Sequence, residues 1–192
     1  MKFHASIAAL LATLPLLASA QLTGNVTLTT NYKFRGQDQD TSKVKAVKPA
    51  LQGGFDYTFG ESGFYVGNWN SSVNWLTGNS LEMDVYGGYK GELSPGLGYD
   101  VGVLTYAYPG ASSANTTEVY GGLSYGPFSA KYSQTVSDQY FGGVKASYLS
   151  IGYAQELSKG LTLKAAAGMT NFKSGTDYSD YSLGLSYDLG EG

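Results

Sequence analysis

The 192-residue sequence contains no cysteine and a single histidine, His4. Without cysteine no disulfide can brace the fold, and Cys–His nucleophiles and thiolate zinc sites are excluded. Proline is sparse, at 5 residues, and no apolar run reaches the roughly 18 residues that a membrane helix needs. Beyond the N-terminus, no stretch places apolar groups at helical spacing over about 10–12 residues. Basic charge is scarce too. Twelve Lys and Arg stand against 15 Asp and Glu, a net charge of −3, which argues against nucleic acid as a partner.

What the chain has in abundance is glycine, 27 residues, and tyrosine, 17 residues. Glycine is at about twice its ordinary share. Without low-complexity runs, this fits many short strands joined by tight turns. The N-terminus has a charged start at Lys2, an apolar stretch Ile7–Leu17 broken by Thr13 and Pro15, and the small-residue close Ala18-Ser19-Ala20. This three-part pattern reads as a cleaved secretory signal, residues 1–20, preceding one domain, residues 21–192. Cleavage removes Lys2 and His4, leaving 11 basic and 15 acidic residues, net −4, and no histidine. Ser–His catalysis is thereby excluded as well.

The recurring pattern is alternation. In Leu81–Tyr89 one face carries Leu81, Met83, Val85, Gly87 and Tyr89, and the other Glu82, Asp84, Tyr86 and Gly88. Strands place successive side chains on opposite faces. Ten segments follow this rule: 22–35, 48–59, 63–75, 80–91, 97–108, 116–126, 127–137, 145–156, 161–172 and 178–189. Links after odd segments are mostly long or polar (36–47, 109–115, 137–144, 173–177, with 77–79 a short exception). Links after even segments are tight, and Glu92-Leu93-Ser94-Pro95-Gly96 nearly repeats in Glu156-Leu157-Ser158-Lys159-Gly160. Outer-membrane barrels have this asymmetry of short periplasmic turns and longer external loops. The expected fold class is all-β, an antiparallel up-and-down transmembrane β-barrel of about ten strands.

Apolar faces are read at Val26, Leu28, Tyr32 and Phe34; at Leu51, Phe55, Tyr57 and Phe59; and at Tyr181, Leu183, Leu185, Tyr187 and Leu189. The candidate lumen-lining residues are Lys33, Arg35, Asp56, Glu82, Asp84, Lys90, Asp100, Glu118, Lys131, Lys164 and Asp188. A Lys or Arg at a lipid-facing midplane costs about 2–4 kcal/mol, so these charges are expected to point inward and pair across a lumen. Aromatics near strand ends, Tyr57, Phe59, Trp75, Tyr99, Tyr106, Tyr108, Tyr148 and Tyr187, suit the headgroup level. The competing reading is a soluble lipocalin-like barrel with its apolar face turned inward.

No residue is assigned a catalytic, cofactor or metal role, and the chain is not read as an enzyme. Glu82 and Asp84 share a face, which suits acid–base chemistry or a cation path, but the blander reading is an ion network with neighbouring Lys or Arg. Gly122-Leu123-Ser124-Tyr125-Gly126 spells a nucleophile elbow without the helix or histidine that motif requires. Gly121-Gly122 and Gly142-Gly143 precede no helix that would hold a phosphate, and read as close packing against aromatics. Lys43, Lys45 and Lys48 make the first long loop basic, either to bind lipopolysaccharide phosphates or simply to solvate the loop. The triplets at Asn25, Asn70 and Asn115 read as chance matches to a glycosylation signal.

Four blocks resemble the TorF porin family in order: Asn31-Tyr32-Lys33-Phe34-Arg35-Gly36 with Gln37-Asp38-Gln39; Lys48 to Tyr57; Gly63 to Val73; and Leu81 to Gly91. The resemblance implies a Gram-negative outer-membrane barrel, of 12 strands in the family. On that comparison the C-terminal Tyr187-Asp188-Leu189-Gly190-Glu191-Gly192 resembles the turn at Tyr57 to Ser62, so the chain is expected to stop one hairpin short. The expected location is the outer membrane, and the expected partners are its lipids, lipopolysaccharide and small solutes. Two functions stay open: passive passage of small solutes through a narrow polar lumen, or a non-conducting structural or surface-interaction barrel.

Overall fold

The computed structural model describes residues 21–41 and 47–190. The expected signal, residues 1–20, lies outside the described residues, as do Lys43 and Lys45. The chain begins with β1 (Gln21–Thr29), β2 (Lys33–Phe34), β3 (Gln37–Asp38), β4 (Ala50–Thr58), β5 (Phe64–Ser72) and β6 (Leu81–Ser94). It continues with β7 (Leu97–Ala107), β8 (Thr116–Tyr125), β9 (Phe128–Thr135), β10 (Ala146–Ser158), β11 (Leu161–Phe172) and β12 (Tyr178–Tyr187). Ten strands form one antiparallel meander in the order β1, β4, then β5 through β12, while β2 and β3 pair apart as a small hairpin. β1 and β12 are the two edges. Among the described residues no ladder joins them, so the sheet is not closed into a barrel.

Nine of the expected strands agree with the observed ones to within three residues. The first does not. It ends at Thr29 rather than running to residue 35. Arg35 and Gly36 sit at φ 46° and 77°, the left-handed pair that a tight two-residue hairpin requires and a strand does not hold. Lys33 and Phe34 therefore fold back onto Gln37 and Asp38. The alternation Val26, Leu28, Tyr32, Phe34 continues through this break because both pieces are extended. Tyr32 and Phe34 accordingly belong to an inturned hairpin and not to the outer apolar face.

The sheet curls enough for distant strands to meet across its concave side. Tyr65 of β5 donates to Asp100 of β7 and meets the Tyr120 hydroxyl of β8. The β2–β3 hairpin reaches Glu82, Glu118 and Tyr148, and a Cβ added to Gly36 would lie 2.7 Å from Asp180 Cβ on β12. The concave side is polar. Glu82 and Glu118 are 1% exposed and Thr170 0%. The convex side is apolar and bare, with Val26 81%, Tyr181 80% and Leu183 79% exposed. Soluble proteins bury such residues, so the sheet is inside-out relative to a lipocalin-like barrel.

The glycine and tyrosine content has a packing cause. Tyr65, Gly88, Gly102 and Tyr120 lie in one register row across β5 to β8. A Cβ on Gly88 would come 2.5 Å from the Tyr65 hydroxyl, and one on Gly102 2.5 Å from that of Tyr120. Tyr86 lies over Gly67, and Tyr148 over Gly168, in the same way. These tyrosine rings find room on the concave side because a neighbouring-strand position, direct or diagonal, has no side chain.

The two related turns, at 92–96 and 156–160, carry the same register shift, between Glu92 and Ser94 and between Glu156 and Ser158. Aromatic pairs border this tight-turn rim: Tyr57 with Phe59, Phe64 with Tyr89, and Phe128 with Tyr153, at centroid distances of 4.9, 4.8 and 5.3 Å. The opposite rim differs from expectation. Trp75, Tyr106, Tyr108 and Tyr148 turn inward, around the hairpin, so they are not part of a headgroup girdle.

Candidate functional site

The concave face holds two polar clusters at different depths. Near the loop rim, the hairpin inserts Arg35 against β8. Its Nη1 and Nη2 donate to Glu118 Oε1 and Oε2 at 2.9 and 2.7 Å, a bidentate pair whose side chains are 8% and 2% exposed. Nη1 also donates to the Tyr140 hydroxyl at 3.3 Å. The guanidinium carbon lies 4.3 Å from the Tyr148 ring centroid and 4.7 Å from that of Phe34. Phe34, Tyr106, Phe141, Tyr108 and Trp75 pack edge-to-face beside it. Burial pushes the Tyr140 hydroxyl above the ordinary phenol range, which keeps it a neutral neighbour of the guanidinium. The hairpin is braced at its other end. Lys48 Nζ donates to Asp38 Oδ2 at 2.7 Å and to the Asp40 carbonyl at 2.6 Å. The hydrogen bond from Lys48 holds the Asp38 carboxyl below its usual range.

Glu82 and Asp84 lie beneath this hairpin without the expected Lys or Arg partners. Tyr32 donates to Glu82 Oε1 at 3.4 Å, while Glu82 Oε2 and Asp84 Oδ1 are buried with no partner among the described residues. The register explains it. Glu82 stands opposite Ser71, and Asp84 between Trp69 and Tyr106, while the nearby guanidinium is held by Glu118. Among the described residues no cluster of three or more His, Cys, Asp or Glu has metal-binding geometry.

Nearer the tight-turn rim lies a polar pocket of about 600 Å³, containing Asp56, Lys90, Asp100 and Lys131. Tyr86 donates to Asp56 at 2.6 Å and Tyr65 to Asp100 at 2.5 Å. The lysines rest on rings instead of pairing with carboxylates: Lys131 Nζ is 3.7 Å from the Tyr120 centroid and Lys90 Nζ 5.7 Å from that of Tyr65. Lys90, Asp100 and Lys131 share one level, linked by register through Gly122.

The structure thus gathers eight of the eleven candidates into two groups: Arg35, Glu82, Asp84 and Glu118 under the hairpin, and Asp56, Lys90, Asp100 and Lys131 in the pocket. Lys33 is half-exposed on the hairpin, 3.9 Å from Asp38. Lys164 and Asp188 lie exposed, outside both groups. The expected pairing of opposite charges holds for Arg35 with Glu118 only in part of the face, since ring contacts replace it at Lys90 and Lys131. Lys48 is held within the protein, and so does not offer a free ammonium to lipid phosphates. Sequence reasoning missed Tyr65, Tyr120 and Tyr140, and also Asp180, whose carboxylate accepts from Tyr148. Strand parity was the available signal, since Tyr120 shares a face with Glu118, and Asp180 with Asp188.

Residues 17–192 match the family model Gcw_chp, described as a bacterial protein of unknown function. The chain belongs to this family. The match takes in every strand of the sheet, the hairpin and both clusters, so the site is part of the family's own domain. No curated protein and no solved structure matches the chain.

Proposed function

We propose that the chain is an outer-membrane β-barrel acting as a narrow porin for small solutes, with the β2–β3 hairpin as its internal constriction. The observation that carries this reading is the inside-out distribution: exposed Val26, Leu28, Leu183 and Leu185 on one face, and charged side chains on the other. Lipid is the environment in which such an outer face is stable. The aromatic pairs at the tight-turn rim fit the interface level, and the resemblance of residues 25–91 to TorF porins supports the same assignment. Unpaired strand edges cost several kcal/mol per group in hydrocarbon, so in the membrane β1 and β12 are paired, with each other or with further strands.

The filled loop-side interior favours a second reading, a non-conducting barrel. Arg35, Phe34 and Phe141 fill the loop side of the concave face, against Tyr106 and Glu118. Proteoliposome swelling separates the two. Purified protein that fractionates with outer membranes should admit glycerol faster than protein-free vesicles, and faster still when the hairpin residues 33–38 are replaced by a short Gly-Ser link. Swelling at the protein-free rate in both cases would leave the non-conducting barrel. Recovery of the protein as a soluble periplasmic monomer would remove both readings.

A further inference from the structure

We infer that the polar pocket near the tight-turn rim binds a neutral polyhydroxylated solute, a small sugar or polyol. The inference rests on the porin reading for the solute's route and deepens it by naming the solute class.

The charges of the pocket balance. The pocket holds two carboxylates, Asp56 and Asp100, and two ammonium groups, Lys90 and Lys131. A net anion gains from the lysines and loses to the aspartates, and a net cation does the reverse. The signs also alternate along one level, Lys90 and Asp100 on adjacent strands with Lys131 two strands further on. Strands stand about 4.8 Å apart, so a small zwitterion spans Lys90 and Asp100 alone and leaves Lys131, two strand spacings further on, unserved.

Hydrogen-bonding capacity is left over on both sides. Each aspartate accepts one tyrosine hydroxyl, and each ionised carboxylate has further lone pairs. Neither ammonium has a carboxylate within 4.0 Å among the described residues, and both rest on rings. A carboxylate only accepts and an ammonium only donates. The hydroxyl does both, so a solute carrying several of them can serve all four charged groups without net charge. Bonds to ionised partners are about twice as strong as neutral ones.

The walls suit the same solute. The Tyr86 ring covers Gly67, where a Cβ would come 2.5 Å from it, and lines the pocket, where it can meet the C–H face of a sugar ring. Nothing larger than a glycine side chain stands at Gly122, between Asp100 and Lys131. A volume of about 600 Å³ leaves room for one or two sugar rings together with water.

The test is saturation-transfer NMR on the folded, detergent-solubilised exported protein, with sucrose, glycine and citrate as probes at equal concentration. The expected result is saturable transfer to sucrose, and none above background to glycine or citrate. Lys131→Met should weaken sucrose binding at least tenfold while leaving the folded band on an unheated gel unchanged. Preference for citrate or glycine would overturn the inference, as would sucrose transfer that does not saturate. Should Lys131→Met fail to fold, the three-probe comparison on the unaltered protein decides alone. Swelling assays keep the two proposals apart. Saturable sucrose binding without permeation sinks the porin and leaves the site, and permeation without saturable binding sinks the site and leaves the porin.

Discussion

Replacing Arg35 with Met would remove the cation paired with Glu118 while keeping an unbranched apolar stem between Phe34 and Tyr148. Both side chains of the pair are nearly inaccessible, and both Nη atoms are engaged with the carboxylate. Deleting one partner of a buried pair leaves the other charged in a poor solvent, at a cost of about 3–5 kcal/mol. Replacing both by apolar groups of similar volume removes the penalty and is often neutral. Arg35→Met should therefore destabilise the folded protein by about 3–5 kcal/mol, and Arg35→Met/Glu118→Met should recover most of that loss. Urea unfolding in lipid vesicles, followed by tryptophan emission, measures both. The two tryptophans report on the right region, since Trp69 packs on Tyr32 and Trp75 on Tyr108 and Phe141. A single variant within about 0.5 kcal/mol of the parent, where unremarkable surface changes fall, would refute the reasoning. So would a double variant as unstable as the single one.

Asp84→Leu should raise stability in the same assay, because it removes a buried carboxyl with an unpartnered oxygen beside Glu82; a fall would show a partner that the geometry does not contain. Gly102→Ala should destabilise by about 1–3 kcal/mol, since its methyl would lie 2.5 Å from the Tyr120 hydroxyl and 2.6 Å from the Gly87 carbonyl oxygen. The Asp38 carboxyl is held below its ordinary value of 3.8 by Lys48, so its stabilisation is present above that pH and is lost as pH falls through the lowered value. Asp38→Asn should flatten the stability profile below about pH 4, and an unchanged acid limb would contradict the assignment.

The sheet was legible in the sequence because a period of two survives wherever one face is polar and the other apolar. Glu82, Asp84 and Tyr86 against Met83 and Val85 show it plainly. The hairpin was not legible, because Tyr32 and Phe34 keep the same period while the chain changes direction at Arg35, and few non-glycine residues adopt the φ found there. Rim aromatics divided for a related reason. Tyr57 and Tyr106 are alike in composition and in nearness to a strand end, but Tyr106 has even parity with Leu104, on the side where the hairpin lies. Partnering of the charges was hidden too, since it depends on which strands the curl brings together, as at Tyr65 with Asp100 and Tyr120.

The central claim is that the apolar convex face meets lipid, and the absence of native cysteine makes it directly measurable. Single cysteines placed in turn at Asp180, Tyr181, Ser182, Leu183, Gly184 and Leu185 on β12 can carry a fluorophore in vesicles containing brominated lipid. The account predicts a period of two, with strong quenching at Tyr181, Leu183 and Leu185 and weak quenching at the three positions between them. Uniform quenching, or the opposite phase, would contradict it.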